Sequence, residues 1–97
     1  MAKYIALASF TEQGIRNVKD TVKRADAVRE AARKFGCEMS QIYWTLGNYD
    51  LVTIIDAQDE SSATAFAMAI GSAGNIRTQT LRAFSRDEMS AILGKLG

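Results

Sequence analysis

Two spacings of apolar residues alternate along the chain, and the changes between them predict its elements. In residues 3–10, Ile5 and Leu7 alternate with Tyr4, Ala6, Ala8 and Phe10, so both faces of this first strand are apolar. Such a strand belongs in a sheet covered on both sides. Helices are expected over one side, and a second copy of the protein is the simplest cover for the other. After a turn at residues 11–14, Ile15, Val18, Val22, Ala25, Val28, Ala32 and Phe35 recur at three- and four-residue spacing. That predicts one long helix with a single apolar stripe, ending at Gly36 as its C-terminal cap. Arg16, Lys19, Lys23, Asp26, Arg29, Glu30 and Arg33 fall mostly off the stripe and read as a solvated face.

Residues 41–46 read as the second strand, with Ile42, Trp44 and Leu46 pointing one way and Tyr43 and Thr45 the other. The third strand starts at Asp50 or Leu51 and runs to Asp56; its β-branched run Leu51-Val52-Thr53-Ile54-Ile55 suits an interior position. Between them Gly47-Asn48 predicts a primed turn at positive φ. Asp59-Glu60-Ser61-Ser62 opens a second helix that runs to about Ile70, with Ala63, Phe66, Ala67 and Ile70 as its stripe. Its alanines predict close approach to the sheet. Residues 71–75 form a loop whose glycines serve as a helix stop; it lacks the Lys-Ser/Thr ending of a phosphate loop.

Residues 76–84 make the most polar strand, carrying Arg77, Thr78, Gln79, Thr80 and Arg82. Either it is a half-exposed edge or its polar side lines a cavity. Ser85-Arg86-Asp87-Glu88 has the spacing of a capping box. The short helix beyond it presents Met89, Ile92, Leu93 and Leu96, and suits a subunit boundary. The order β-α-β-β-α-β predicts an α+β, ferredoxin-like fold over residues 1–97: a four-stranded antiparallel sheet, two helices on one face, and an extra C-terminal helix.

Composition narrows the chemistry. A chain of 97 residues makes one domain and buries roughly 60–70% of its unfolded surface. A net charge of +1 gives no field for nucleic acid or an anionic membrane. No apolar run has the length of a membrane span and no secretion signal opens the chain, so a cytoplasmic location is expected. The lone cysteine, Cys37, permits no internal disulfide and reads as a small buried hydrophobe. With no histidine, His-based triads, haem ligation through His and nearly all zinc sites drop out. Asp26 and Glu30 could share a metal at their four-residue spacing, but the basic residues around them favour surface ion pairs. No metal and no cofactor is expected.

The densest cluster of aromatic and polar groups is Tyr43-Trp44-Thr45-Leu46-Gly47-Asn48-Tyr49-Asp50-Leu51-Val52. Together with Thr11-Glu12-Gln13-Gly14-Ile15-Arg16 and with Gly74-Asn75-Ile76-Arg77-Thr78 leading to Leu81-Arg82-Ala83-Phe84, it resembles the GYD-domain family, small proteins named for a Gly-x-Tyr-Asp-type hairpin. Thr21-Val22 departs from that pattern, where a proline is expected in many relatives. The resemblance implies a ferredoxin-like fold of the dimeric α+β barrel kind, and no defined activity. A weaker likeness is to the effector-binding domain of Lrp/AsnC-type regulators, which implies a free-standing ligand-sensing domain.

Three function classes follow. The first is a homodimer or larger oligomer that binds a small molecule through Tyr43, Thr45, Tyr49, Asp50, Arg77, Thr78 and Thr80. Their hydroxyls and the arginine fork suit a carboxylate or carbonyl. The structural alternative is that Tyr49 and Asp50 only build the turn and the interface, since Asp side chains readily bond backbone N–H groups near turns. The second is a cofactor-free isomerase- or monooxygenase-like enzyme, with Asp50, Tyr43 and Tyr49 as acid–base candidates and Arg77 as an electrophilic partner. The third is a structural or partner-binding module.

Overall fold

The computed structural model describes all 97 residues. Strands β1 (Ala2–Phe10), β2 (Cys37–Trp44), β3 (Leu51–Ala57) and β4 (Ile76–Ala83) form one antiparallel sheet in the order β2-β3-β1-β4. Helices α1 (Glu12–Arg16) and α2 (Thr21–Lys34) connect β1 to β2, α3 (Glu60–Ser72) connects β3 to β4, and α4 (Arg86–Leu93) follows β4. This is the ferredoxin-like α+β arrangement, with β4 an edge strand and the β-branched β3 interior. Tyr4, Ala6, Cys37, Met39, Ile55 and Ala57 on one sheet face close on Ala32 of α2 and on Ala63 and Phe66 of α3. The side chains of Ile5, Leu7, Val52 and Ile54 lie on the opposite face, half-exposed.

The long helix expected from residue 15 to 35 is broken. Asn17 leaves helical geometry at φ −106°, ψ 29°, a 3-10 turn covers Val18–Asp20, and α2 begins at Thr21. The break frees carbonyls, and Arg24 takes them: its guanidinium donates to Asn17 O at 2.7 Å and Gly14 O at 3.2 Å. The apolar stripe therefore holds for Ala25, Val28, Ala32 and Phe35, while Ile15, Val18 and Val22 stay exposed.

β2 starts four residues earlier than the alternation of residues 41–46 suggests. Cys37 and Met39 face the helices, a bulge at Ser40 shifts the register, and Ile42 and Trp44 then face the same way. One extra residue thus reconciles odd and even apolar positions on one face. The primed turn is also replaced. Gly47 alone in the hairpin has positive φ (110°), Asn48 does not, and residues 45–50 make a longer connection.

Gly36 caps α2 at φ 72°, Asp59 caps α3 by accepting from Ser62 N–H, and Ser85 and Glu88 form the expected capping box of α4. Met89, Ile92, Leu93 and Leu96 are exposed beside the body. Arg82 ties that helix back, with its guanidinium 4.5 Å above the Phe84 ring and 3.5 Å from the Glu88 carboxylate.

Candidate functional site

The β2–β3 connection is held by its own polar groups. Thr45 N–H donates to Asp50 O at 2.8 Å, and Thr45 Oγ1 donates to Tyr49 O at 2.5 Å. Asp50 then grips the end of β1 twice: its N–H donates to Ala8 O at 2.8 Å and its Oδ2 accepts from Phe10 N–H at 2.8 Å. A carboxylate in that position continues the ladder where β3 has run out of backbone partners. Tyr49 reaches across the open sheet face to donate from its hydroxyl to Gln79 Oε1 at 3.0 Å.

The seven residues singled out from the sequence do not gather in one place. Tyr43 on β2 and Arg77 on β4 share the open face at opposite edges, three strand spacings (about 14 Å) apart across the sheet and offset by two residues along it. Thr45, Tyr49 and Asp50 build the connection. Thr78 and Thr80 lie on the helix face, opposite Ala8 and Ala6.

That helix face holds a cleft. α2 leans over β2 and α3 reaches over β4, and small side chains leave a slot between helices and sheet: Ala6, Ala8 and Thr53, themselves buried, form the floor, Ala25, Ala31, Ala69 and Ala73 the walls. The cleft has a volume of about 300 Å³ and a mostly apolar lining, with Phe35 and Phe66 among its larger residues. The alanines of α3, expected to bring it close to the sheet, do so at buried Ala63 and open the cleft at Ala69, with Ala73 just past the helix end. Thr21, Arg24, Asn75 and Thr78 are its polar edge.

The family model for the GYD domain matches residues 4–93. The chain belongs to the GYD-domain family. A protein of Thermus thermophilus, named glutamine synthetase and cystathionine beta-lyase binding protein, is 29% identical to this GYD domain over 94 residues, which span 96% of this chain and 99% of that one. A crystal structure of a Thermus thermophilus protein superposes with a TM-score of 0.56 at 23% identity, covering 88% of this chain and 95% of that one, and shows the fold. In this GYD domain the β2–β3 hairpin has a structural role, stapling β1 through Asp50.

A second, more polar groove lies between α3 and the β4 edge. Thr80 and Arg82 line it together with Glu60, Thr64 and Met68. Beneath it the Tyr4 hydroxyl is buried with no hydrogen-bond partner, under the Arg82 guanidinium 5.6 Å from its ring. Cys37 is buried away from both openings; burial, and then the Asp59 charge, push its thiol up from its ordinary value. No three Cys, Asp or Glu side chains converge as metal ligands, and no helix is long and apolar enough to cross a membrane.

Sequence reasoning left open that the polar side of residues 76–84 lines a cavity, and Thr78 does line the cleft, but it missed Arg24 and the alanine walls. Arg24 adjoins Ala25 at the border of the apolar stripe, and alanines crowd both helices, but an unfilled slot depends on where the helices sit above the sheet.

Proposed function

We propose that this GYD domain is a self-assembling binding module that pairs with a second copy through the open face of its sheet. The observation that carries this reading is the uncovered apolar strip of Ile5, Leu7, Val52 and Ile54, flanked by exposed Tyr43 and Leu81. A compact monomer of 10.6 kDa exposes about 5,500 Å² by the usual size scaling, whereas this chain exposes 6580 Å². The excess of about 1,100 Å² belongs to the flat molecule as a whole, and it leaves room for the roughly 800 Å² that one partner contributes to a stable interface. A two-fold pairing of the strip with itself needs no complementary second surface. Exposed α4 extends the apolar surface available to a further protein. The name of the Thermus relative supports a larger enzyme as that further partner.

Light scattering on the purified protein tests the pairing. The wild type is expected to run as a dimer or larger, and Ile54→Lys to run as a monomer with unchanged circular dichroism. A monomeric wild type at tens of micromolar would sink the reading. Co-purification with glutamine synthetase and cystathionine beta-lyase of the same organism tests the further partner.

The cleft supports a second role compatible with the first, the binding of a small molecule. A groove of this size, largely apolar with a few polar groups at its edge, has the make-up of small-ligand sites.

A further inference from the structure

We propose that the cleft binds a small organic acid, its flat apolar body between α2 and α3 and its carboxylate on Arg24. The inference rests on reading the cleft as a binding site and adds the chemical class. Size sets the body: a dry apolar cavity of about 150 Å³ is enough for benzene, and this cleft is about 300 Å³. That admits two fused rings, or one ring with a short arm. The alanine walls favour a flat body over a branched one.

Charge sets the head group. Arg24 lines the cleft, is half-buried, and forms no ion pair with any carboxylate. Its position is fixed, because the helix break supplies Asn17 O and Gly14 O as acceptors on two of its nitrogens. A guanidinium has five N–H donors in a planar fork, so N–H groups remain to meet a carboxylate. Neither Thr53 nor Thr78 on the sheet side of the cleft donates its hydroxyl to another protein group, leaving both available to an oxygen on the ligand's body. A merely bracing Arg24 would need the two carbonyls and nothing more; it would not discriminate among ligands by charge.

Calorimetric titration with 2-naphthoate and with its neutral amide separates the possibilities. The wild-type protein is expected to bind the acid at least about tenfold more tightly, the factor a charge-assisted hydrogen-bonded pair supplies. Arg24→Gln is expected to bring the acid's affinity down to about that of the amide, and Ala69→Phe, which fills the slot, to weaken both. Equal wild-type affinities for acid and amide would overturn the acid class but leave the cleft as a binding site. Binding that Ala69→Phe leaves unchanged, or no binding by either compound or by a panel of one- and two-ring carboxylates below about 1 mM, would overturn the cleft itself as the site. The acid–amide comparison needs no variant, so a poorly folded Arg24→Gln protein would still leave the acid class tested.

Discussion

At Gly14 an added Cβ would sit 1.9 Å from the carbonyl oxygen of Asn75. That oxygen also accepts from Thr11 N–H at 3.0 Å, so backbone on both sides is pinned and neither can give way. Gly14→Ala is expected to cost at least about 2 kcal/mol in urea denaturation. Gly71 is the opposite case: it lies inside α3 with nothing within 4 Å of an added Cβ, and Gly71→Ala is expected to stabilise by about 0.5–1 kcal/mol in the same assay. Cys37 supplies a pH dependence. Its raised folded-state pKa means the unfolded chain ionises first, so its contribution is complete below about pH 9 and is lost as pH rises through the folded value. Urea midpoints across that range should fall more steeply for wild type than for Cys37→Ala.

Among the elements, the β2–β3 connection has the clearest energetic role. Asp50→Ala strips the acceptor from Phe10 N–H and is expected to cost about 1–3 kcal/mol, while Asp50→Asn, which keeps a carbonyl oxygen there, should cost less. Thermal denaturation of the two variants ranks them; equal losses would mean that charge, not acceptance, matters. The strands, the helix caps and the order of elements were legible in the sequence because alternation and cap chemistry are local. The helix break was not, because the arginine that stabilises it lies seven residues past Asn17 and acts through space. The start of β2 was hidden by its bulge: period-2 reasoning cannot follow Cys37 and Met39 into Ile42 and Trp44 without the extra residue at Ser40. Among candidate site residues, hydroxyls and charges could be read but not their sides of the sheet. Alternation fixes sides within one strand but not between strands, so nothing local showed that Tyr43 and Thr80, both hydroxyl-bearing strand residues, face opposite ways.

The whole molecule measures 52 × 30 × 18 Å, flat and long. Removing residues 85–97 is expected to leave the four-stranded sheet folded, with only the helical part of the circular dichroism reduced, since Arg82 is the main polar tie to α4. Loss of the sheet signal in that truncation would show that α4 carries part of the core. The position of β1 has a consequence during synthesis. It is made before every other strand, yet it lies between β3 and β4, with Lys3 opposite Ala83 and Phe10 opposite Ile76. A nascent chain that has emerged only through α3 therefore holds its most apolar strand with one bare edge, open to pairing with any neighbouring chain. Closure waits on contacts between distant parts of the chain, which makes it slow compared with helix formation. Fragments ending before Ile76 should accordingly collect in ribosome-proximal aggregates or on chaperones, whereas chains that include Ala83 escape both.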